Sequence, residues 1–325
     1  MLKEISIEII RRCPNKCVHC SSLSSEECKE IISVEKFKEV IDGVNVLGLK
    51  TVCFSGGEPF LHPDIVEMID YVYRKGLNCY IYSSGICIDN MKNKISIPEK
   101  ILDKISGKVT KIIFNIEAAD ECTYDAIMGT QGCFCLLEQS IKNAISRKIV
   151  VEGHFVPMKL NKNQIEQVVD FCERLGVSKV SFLRLVIHGR ALNNKDRLLL
   201  SEAELKDVEE RLIQLCKNKS SYIRIGVPLL GETKEVHCEA ANGKLNIRYD
   251  GNVYPCEVFK NHRIDILEDI KPGNIFEEKI ENIYQDSKYL QKVRFLVAQF
   301  SCGNCCENCI GQYYMNLKKQ EEKNG

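Results

Sequence analysis

The sequence lacks several features that mark common protein classes. Its 325 residues contain no tryptophan and only eight prolines, and 7% of them are aromatic. No stretch approaches the roughly 18 consecutive apolar residues of a membrane-spanning helix, and the N-terminus lacks the apolar region of a signal peptide. Because 45 basic residues balance 45 acidic ones, no overall charge attracts nucleic acid or an anionic membrane. We therefore expect a cytoplasmic protein that has neither a membrane nor a nucleic acid as a partner.

Cysteine, in contrast, is abundant, with 18 residues in the chain. In a reducing compartment this number indicates metal sites and buried thiols rather than disulfides. The first group comprises Cys13, Cys17 and Cys20, separated by gaps of three and two residues. Three thiolates at this spacing can converge on one soft metal centre, one ligand short of a closed site, and an open position implies chemistry. A zinc knuckle with His19 or Cys28 as fourth ligand is the alternative that this motif alone leaves open.

This motif resembles the cluster loop of the radical S-adenosylmethionine (radical SAM) superfamily. There, three cysteines hold a [4Fe-4S] cluster, and SAM binds the fourth iron. The resemblance implies both cofactors. It also implies that a reduced cluster cleaves SAM to a 5'-deoxyadenosyl radical, which takes a hydrogen atom from the substrate. The sequence itself identifies no catalytic acid or base.

Further residues match the family's SAM-binding motifs. Residues 55–59 read Ser-Gly-Gly-Glu-Pro, which resembles the motif that meets the amino group of SAM. A second pair, Asn115 and Glu117, departs from the Ser-x-Asp of related enzymes but keeps its polarity. Arg184 suits a carboxylate, because a guanidinium binds that group with two hydrogen bonds. The resemblance thus assigns cofactor contacts to Gly56, Gly57, Glu58, Pro59, Ser83, Asn115, Glu117 and Arg184.

Alternating apolar runs and amphipathic stretches predict an α/β fold. We predict strands at residues 5–10, 51–54, 78–82, 111–116, 150–156 and 180–186. We predict helices at residues 34–47, 63–75, 98–105, 133–147 and 164–175, and a further helix opened by the capping box Ser201-Glu-Ala-Glu204. Six such units with short connections favour a partial (β/α)6 barrel of parallel strands, with its site at the carboxyl ends of the strands. We place a core domain at residues 1–219 and a small α+β Fe-S domain, ending in a polar tail, at residues 220–325.

A second group of cysteines lies in the smaller domain. A hairpin turn at Asp250-Gly251 can bring Cys238 and Cys256 together, and the tail adds Cys302, Cys305, Cys306 and Cys309. The arrangement resembles the twitch domain, the shortened form of the SPASM domain that follows many radical SAM cores. It implies one auxiliary [4Fe-4S] cluster on Cys238, Cys256, Cys302 and Cys305, with Cys306 or Cys309 as possible substitutes. A zinc site and a two-cluster arrangement are the alternatives.

The substrate is predicted only as a class. Twitch and SPASM enzymes most often modify peptides, and we expect an oxidative reaction of that kind: a cross-link, an epimerisation or an oxidation. Expected partners are a flavodoxin- or ferredoxin-type electron donor and, because little sequence precedes Cys13, a separate leader-peptide-binding protein. The alternatives are radical dehydrogenation of a small-molecule alcohol such as an aminocyclitol, and a non-catalytic zinc or Fe-S binding protein.

Overall fold

The structure, a computed structural model, describes residues 1–226, 229, 238–260, 270–300 and 309–310. The strands in these residues are β1 (Glu4–Ile10), β2 (Thr51–Gly56), β3 (Asn78–Ser83), β4 (Ile86–Ile88), β5 (Lys94–Ser96), β6 (Lys111–Asn115), β7 (Val151–Phe155), β8 (Lys179–Phe182), β9 (Ile223–Ile225), β10 (Lys244–Ile247) and β11 (Val253–Tyr254). The helices are α1 (Val34–Asn45), α2 (Ile65–Arg74), α3 (Glu99–Ile105), α4 (Glu121–Met128), α5 (Phe134–Ser146), α6 (Ile165–Leu175), α7 (Arg190–Asn193), α8 (Lys195–Leu198), α9 (Glu202–Lys219), α10 (Ile280–Asp286) and α11 (Lys288–Phe300).

One sheet organises the chain. Its strands lie in the order β11-β10-β1-β2-β3-β6-β7-β8-β9. The six predicted strands are neighbours in this sheet, and every contact between them is parallel. Their carboxyl ends therefore meet at one edge, where a parallel α/β sheet places its functional site. The predicted fold class, a partial barrel of parallel strands, is confirmed, with β9 and the β10–β11 hairpin added at its two edges.

Side-chain caps mark the start of three helices, α1, α4 and α9. The hydroxyl of Ser33 accepts from the backbone N–H of Lys36 at the start of α1, and the predicted capping box opens α9. Helix α4 is not among the predicted helices, because its eight residues carry only a short apolar pattern. Asp120 caps its start, and Gly129 ends it in the left-handed conformation. No helix in the described residues is long and apolar enough to cross a membrane.

The C-terminal segment joins the same sheet as the core. Strand β10 pairs in parallel with β1, so that Glu4 lies opposite Lys244, and it pairs antiparallel with β11. The predicted hairpin turn lies between them, with Gly251 at φ +85°, a conformation that glycine adopts without strain. The sheet thus runs across residue 219, and the domain division at that residue stays a prediction.

Candidate active site

A cavity of about 280 Å³ opens at the carboxyl ends of the central strands. It is lined by Cys13, Asn15, Cys17, His19, Cys20, Ser21, Ser22, Ser24, Ser55, Gly56, Gly57, Tyr82, Ser83, Ser84, Asn115, Met128, Val156, Leu183, Arg184, Leu185, Val186, Arg190 and Lys260. The structure therefore brings the three N-terminal cysteines together with five of the eight predicted SAM-contacting residues. The other three, Pro59 and the buried carboxylates Glu58 and Glu117, do not line this cavity.

Backbone hydrogen bonds hold the cysteine loop in place. The N–H of Val18 donates to the carbonyl of Ile127 at 2.9 Å, and the N–H of Lys16 donates to that of Met128 at 3.1 Å. On the other side, the N–H of Arg190 donates to the carbonyl of Cys20 at 3.0 Å. These bonds use main-chain groups at the end of α4 and the start of α7. Main-chain hydrogen bonds therefore hold the loop from both sides.

Three glycines let other segments approach this loop closely. A Cβ atom at Gly57 would lie 2.1 Å from the carbonyl oxygen of Arg12, one at Gly129 would lie 2.4 Å from that of Lys16, and one at Gly189 would lie 2.5 Å from that of Ser21. Real Cβ atoms do not approach oxygen so closely. In the Gly-Gly-Glu-Pro motif, Gly57 thus serves contact with the loop as well as the predicted approach of a ligand.

Arg190 ties the cysteine loop to α7. Its Nε donates to the carbonyl of Cys17 at 2.7 Å, and its Nη2 donates to that of Ser24 at 2.9 Å. Hydrogen bonds from a charged donor are stronger than neutral ones. The sequence gives no signal for this contact, because the partners of Arg190 are main-chain atoms far away in the chain.

Glu58 is fully buried between β2 and β3. One carboxylate oxygen accepts from the hydroxyl of Ser83 at 2.8 Å and from the N–H of Phe60 at 3.3 Å. The other accepts from the N–H and the hydroxyl of Ser84, at 2.9 and 2.6 Å. Burial raises the pKa of Glu58, and the hydrogen bonds from Ser84 and Ser83 oppose that effect. Glu58 thus connects the ends of β2 and β3 through hydrogen bonds. A contact between Glu58 and a ligand ammonium stays a prediction.

A second buried carboxylate lies beside His19. Glu117 accepts from the N–H of Val156 at 3.0 Å, and its other oxygen lies 3.5 Å from Nε2 of His19. Burial raises the pKa of Glu117 to about 8. Burial, followed by the charge of Arg190, lowers the pKa of His19 to about 4. Both shifts favour the neutral form of the group, which argues against a salt bridge between His19 and Glu117.

The chemistry of the lining suits an iron-sulfur cluster and SAM. Burial, then the charges of Cys17 and Glu58, raise the pKa of Cys13, and burial together with Cys20 raises that of Cys17. Three such neighbouring thiolates repel one another unless a metal cation compensates their charge. The lining also carries Arg184, Arg190 and Lys260 and, among the described residues, no Asp or Glu. It therefore favours the anionic cluster and the carboxylate of SAM.

The thiols stand near one another without forming a closed chelate. Within the described part of the chain, no three Cys, His, Asp or Glu side chains converge closely enough to hold a metal ion as they stand. This finding applies equally to an iron-sulfur cluster and to the zinc knuckle on His19 or Cys28. The ligand roles of Cys13, Cys17 and Cys20 rest on their shared cavity and on the family match given below.

The second cysteine group is described only in part. Burial, then the charges of Glu257, Cys309 and Cys238, raise the pKa of Cys256, so these thiols lie within electrostatic reach of one another. This includes Cys309, one of the predicted substitute ligands. Cys302, Cys305 and Cys306 lie outside the described residues, and their part in the site stays a prediction.

Comparison with known proteins identifies the family. The model of the radical SAM superfamily matches residues 7–174, and that of an iron-sulfur cluster-binding domain, SPASM, matches residues 238–310. The chain belongs to the radical SAM superfamily and carries a C-terminal SPASM-type domain. This confirms the predicted cofactors: a [4Fe-4S] cluster with SAM, and an auxiliary Fe-S site.

Two curated relatives differ in what they make. The chain is 25% identical over 296 residues to the PqqA peptide cyclase of Gluconobacter oxydans (strain 621H), covering 88% of this chain and 77% of that protein. It is 23% identical over 341 residues to the AdoMet-dependent heme synthase of Nitratidesulfovibrio vulgaris, covering 96% of this chain and 88% of that protein. Among solved structures, SuiB of Streptococcus suis bound to S-adenosylmethionine is similar, with a TM-score of 0.73, 18% identity and coverage of 96% of this chain and 74% of that chain. The likeness to SuiB supports the fold.

Proposed function

We propose that the protein modifies a peptide by radical chemistry, through an oxidative cross-link, another oxidation or a redox-neutral epimerisation. The likeness to the PqqA peptide cyclase carries this proposal, since it extends over 88% of the chain and so well beyond the radical SAM core. Bound SAM and a reduced cluster supply a 5'-deoxyadenosyl radical that removes a hydrogen atom from the substrate. The chain's own residues position the reactants and exclude water.

The cavity residues divide this work. Cys13, Cys17 and Cys20 hold the cluster. The backbone of Gly56 and Gly57 contacts the SAM amino group. Glu58, which hydrogen bonds from Ser83 and Ser84 hold in place, binds the same amino group. Arg184 meets the SAM carboxylate. The remaining predicted SAM contacts are of two kinds. Ser83 and Asn115 line the cavity themselves, whereas Pro59 and Glu117 act through the groups that they contact.

An auxiliary cluster in the C-terminal domain would supply an acceptor for the substrate electron in an oxidation or an oxidative cross-link. We propose one auxiliary [4Fe-4S] cluster on Cys238, Cys256, Cys302 and Cys305, with Cys306 or Cys309 as substitutes. The nearness of Cys309 to Cys256 supports a site at this place. A flavodoxin- or ferredoxin-type protein supplies the first electron, and a separate protein binds the leader of the peptide.

Labelled peptide tests the substrate class. Anaerobically reconstituted protein is incubated with SAM, dithionite and a deuterated synthetic peptide. The sequence of this peptide is taken from a short open reading frame beside the gene of the protein. We expect deuterium to appear in 5'-deoxyadenosine and the peptide to lose hydrogen atoms or, for an epimerisation, to take up solvent hydrogen. Formation of 5'-deoxyadenosine without deuterium from any such peptide would count against a peptide substrate and leave the family assignment intact.

A small-molecule substrate is the second candidate. It is favoured by the likeness to the AdoMet-dependent heme synthase, which covers 96% of this chain and 88% of that protein. The same assay with a porphyrin precursor or an aminocyclitol alcohol distinguishes the two classes. The substrate that transfers deuterium to 5'-deoxyadenosine identifies the class.

A further inference from the structure

One side chain of the C-terminal domain reaches the cavity of the N-terminal cysteines. Lys260 lies four residues after Cys256 and is only 6% exposed. It lines the cavity together with Cys20, Ser22 and Arg184. A single short turn, in which the N–H of Phe259 donates to the carbonyl of Cys256 at 3.1 Å, thus connects an auxiliary-site cysteine to the wall of the other site.

The core domain holds this lysine by a buried ion pair. The ammonium of Lys260 donates to a carboxylate oxygen of Glu8 on β1 and to the hydroxyl of Ser22 at 2.9 Å. Ser22 in turn donates to the same oxygen of Glu8 at 2.7 Å. Glu8 is fully buried and does not line the cavity. Lys260 therefore borders the cavity, and its ammonium contacts a second lining residue, Ser22, whereas its anionic partner does not line the cavity.

The ammonium keeps its charge in this place. Burial lowers the pKa of Lys260, but the charge of Glu8 and its hydrogen bond, together with the charges of Cys20 and Glu257, leave the pKa raised. A buried ion pair contributes little net stability compared with apolar residues of similar size. Packing alone therefore gives no reason for a charged pair at this position, whereas an electrostatic role in the cavity does.

We infer that Lys260 is a positioning residue that places a fixed positive charge beside the three-cysteine site and makes a cluster bound there easier to reduce. Charge near an iron-sulfur cluster is one of the factors that set its reduction potential. In a buried site this influence is larger than in water. The inference does not depend on whether the substrate is a peptide.

Charge-removing variants of holoprotein test this role. The midpoint potential of the SAM-responsive cluster is measured by redox titration with electron paramagnetic resonance (EPR). We expect Lys260→Met to shift it to more negative values and Glu8→Gln to shift it to more positive ones. A purely structural role would not produce shifts of opposite sign.

A double variant keeps the test decisive if Lys260→Met leaves Glu8 unpaired and the protein fails to fold. Glu8→Gln and Glu8→Gln/Lys260→Met both lack the buried carboxylate and differ only in the lysine charge. We expect the double variant to have the more negative potential. The matched control is Lys244→Met, since Lys244 pairs with Glu4 of the same strand at 2.9 Å but does not line the cavity. Equal potentials in the two Glu8→Gln proteins, or an equal shift in Lys244→Met, would overturn the inference.

Discussion

The two cysteine sites differ in how the chain brings their ligands together. Cys13, Cys17 and Cys20 lie within eight residues of sequence, on a loop that main-chain bonds from α4 and α7 hold in place. Cys238 and Cys256 flank a β-hairpin, and Cys309 follows more than fifty residues later. The first group thus lies on one continuous loop, whereas the second joins separate segments of the chain. A site of the first kind suits exchange of a ligand such as SAM, and one of the second kind suits a closed cluster.

Substitution of the three N-terminal cysteines should have the largest effect and tests the difference between the two sites most strongly. We expect the triple substitution of Cys13, Cys17 and Cys20 by Ala to abolish reductive SAM cleavage and to remove about four iron atoms per chain. The protein should stay folded, because main-chain groups rather than thiols hold the loop. Iron analysis and release of 5'-deoxyadenosine measure the effect. Cleavage at the wild-type rate would disprove the role of the loop.

Removing the second set should leave the first site working. We expect Cys238→Ala/Cys256→Ala to reduce the iron content from about eight to about four atoms per chain. SAM cleavage without substrate should continue, while product formation should stop because the substrate electron has no acceptor. Zinc retained in full, or normal product formation, would contradict the assignment. About twelve iron atoms in the wild type would indicate two auxiliary clusters.

Two glycine-to-alanine substitutions test whether close backbone packing holds the loop of the three N-terminal cysteines in place. Gly129 and Gly107 both have positive φ, but a Cβ atom at Gly129 would meet the carbonyl of Lys16 at 2.4 Å, whereas one at Gly107 meets nothing within 4 Å. We expect Gly107→Ala to cost roughly 1 to 2 kcal/mol of unfolding free energy and Gly129→Ala to cost about 1 to 3 kcal/mol more. Thermal unfolding measures stability, and EPR measures the loss of the N-terminal cluster. Equal effects of the two substitutions would argue against a preformed loop.

A further expected effect is a pH dependence at Glu117, which changes stability only over part of the pH range. Its pKa of about 8 lies above the ordinary value of 4.5, so the folded state binds more protons than the unfolded state between these values, and its stability falls as pH rises through this range. Glu117→Gln removes that loss. We expect the variant to gain stability relative to wild type between pH 5 and pH 8, by an amount on the order of 3 kcal/mol or less. If the difference in stability between the two proteins is the same at pH 5 and at pH 8, Glu117 is not neutral in the folded state.

The fold was largely predictable, because its signals are local. The six central strands are apolar runs bounded by turn residues, and each was found within a few residues of its predicted bounds. The three cysteines and the Gly-Gly-Glu-Pro turn were also legible, since spacing along the chain fixes them. The ligand roles of those residues stay predictions.

The contacts that hold the site were not predictable in this way. Glu8 and Lys260 pair across 252 residues of sequence, and no local pattern connects them. One signal was present, namely the carboxylate of Glu8 among the isoleucines of β1. Arg190 and Gly129 likewise act on main-chain carbonyls, which every residue carries, so only the folded chain reveals their partners.

EPR spectroscopy of the reduced holoprotein, with and without SAM, tests the difference between the two sites most directly. We expect two cluster signals, of which SAM changes only one, and that one should be missing from the variant without Cys13, Cys17 and Cys20. A signal that responds to SAM in this triple variant, or a SAM response lost with Cys238 and Cys256 alone, would contradict the assignment of the open position to the N-terminal loop.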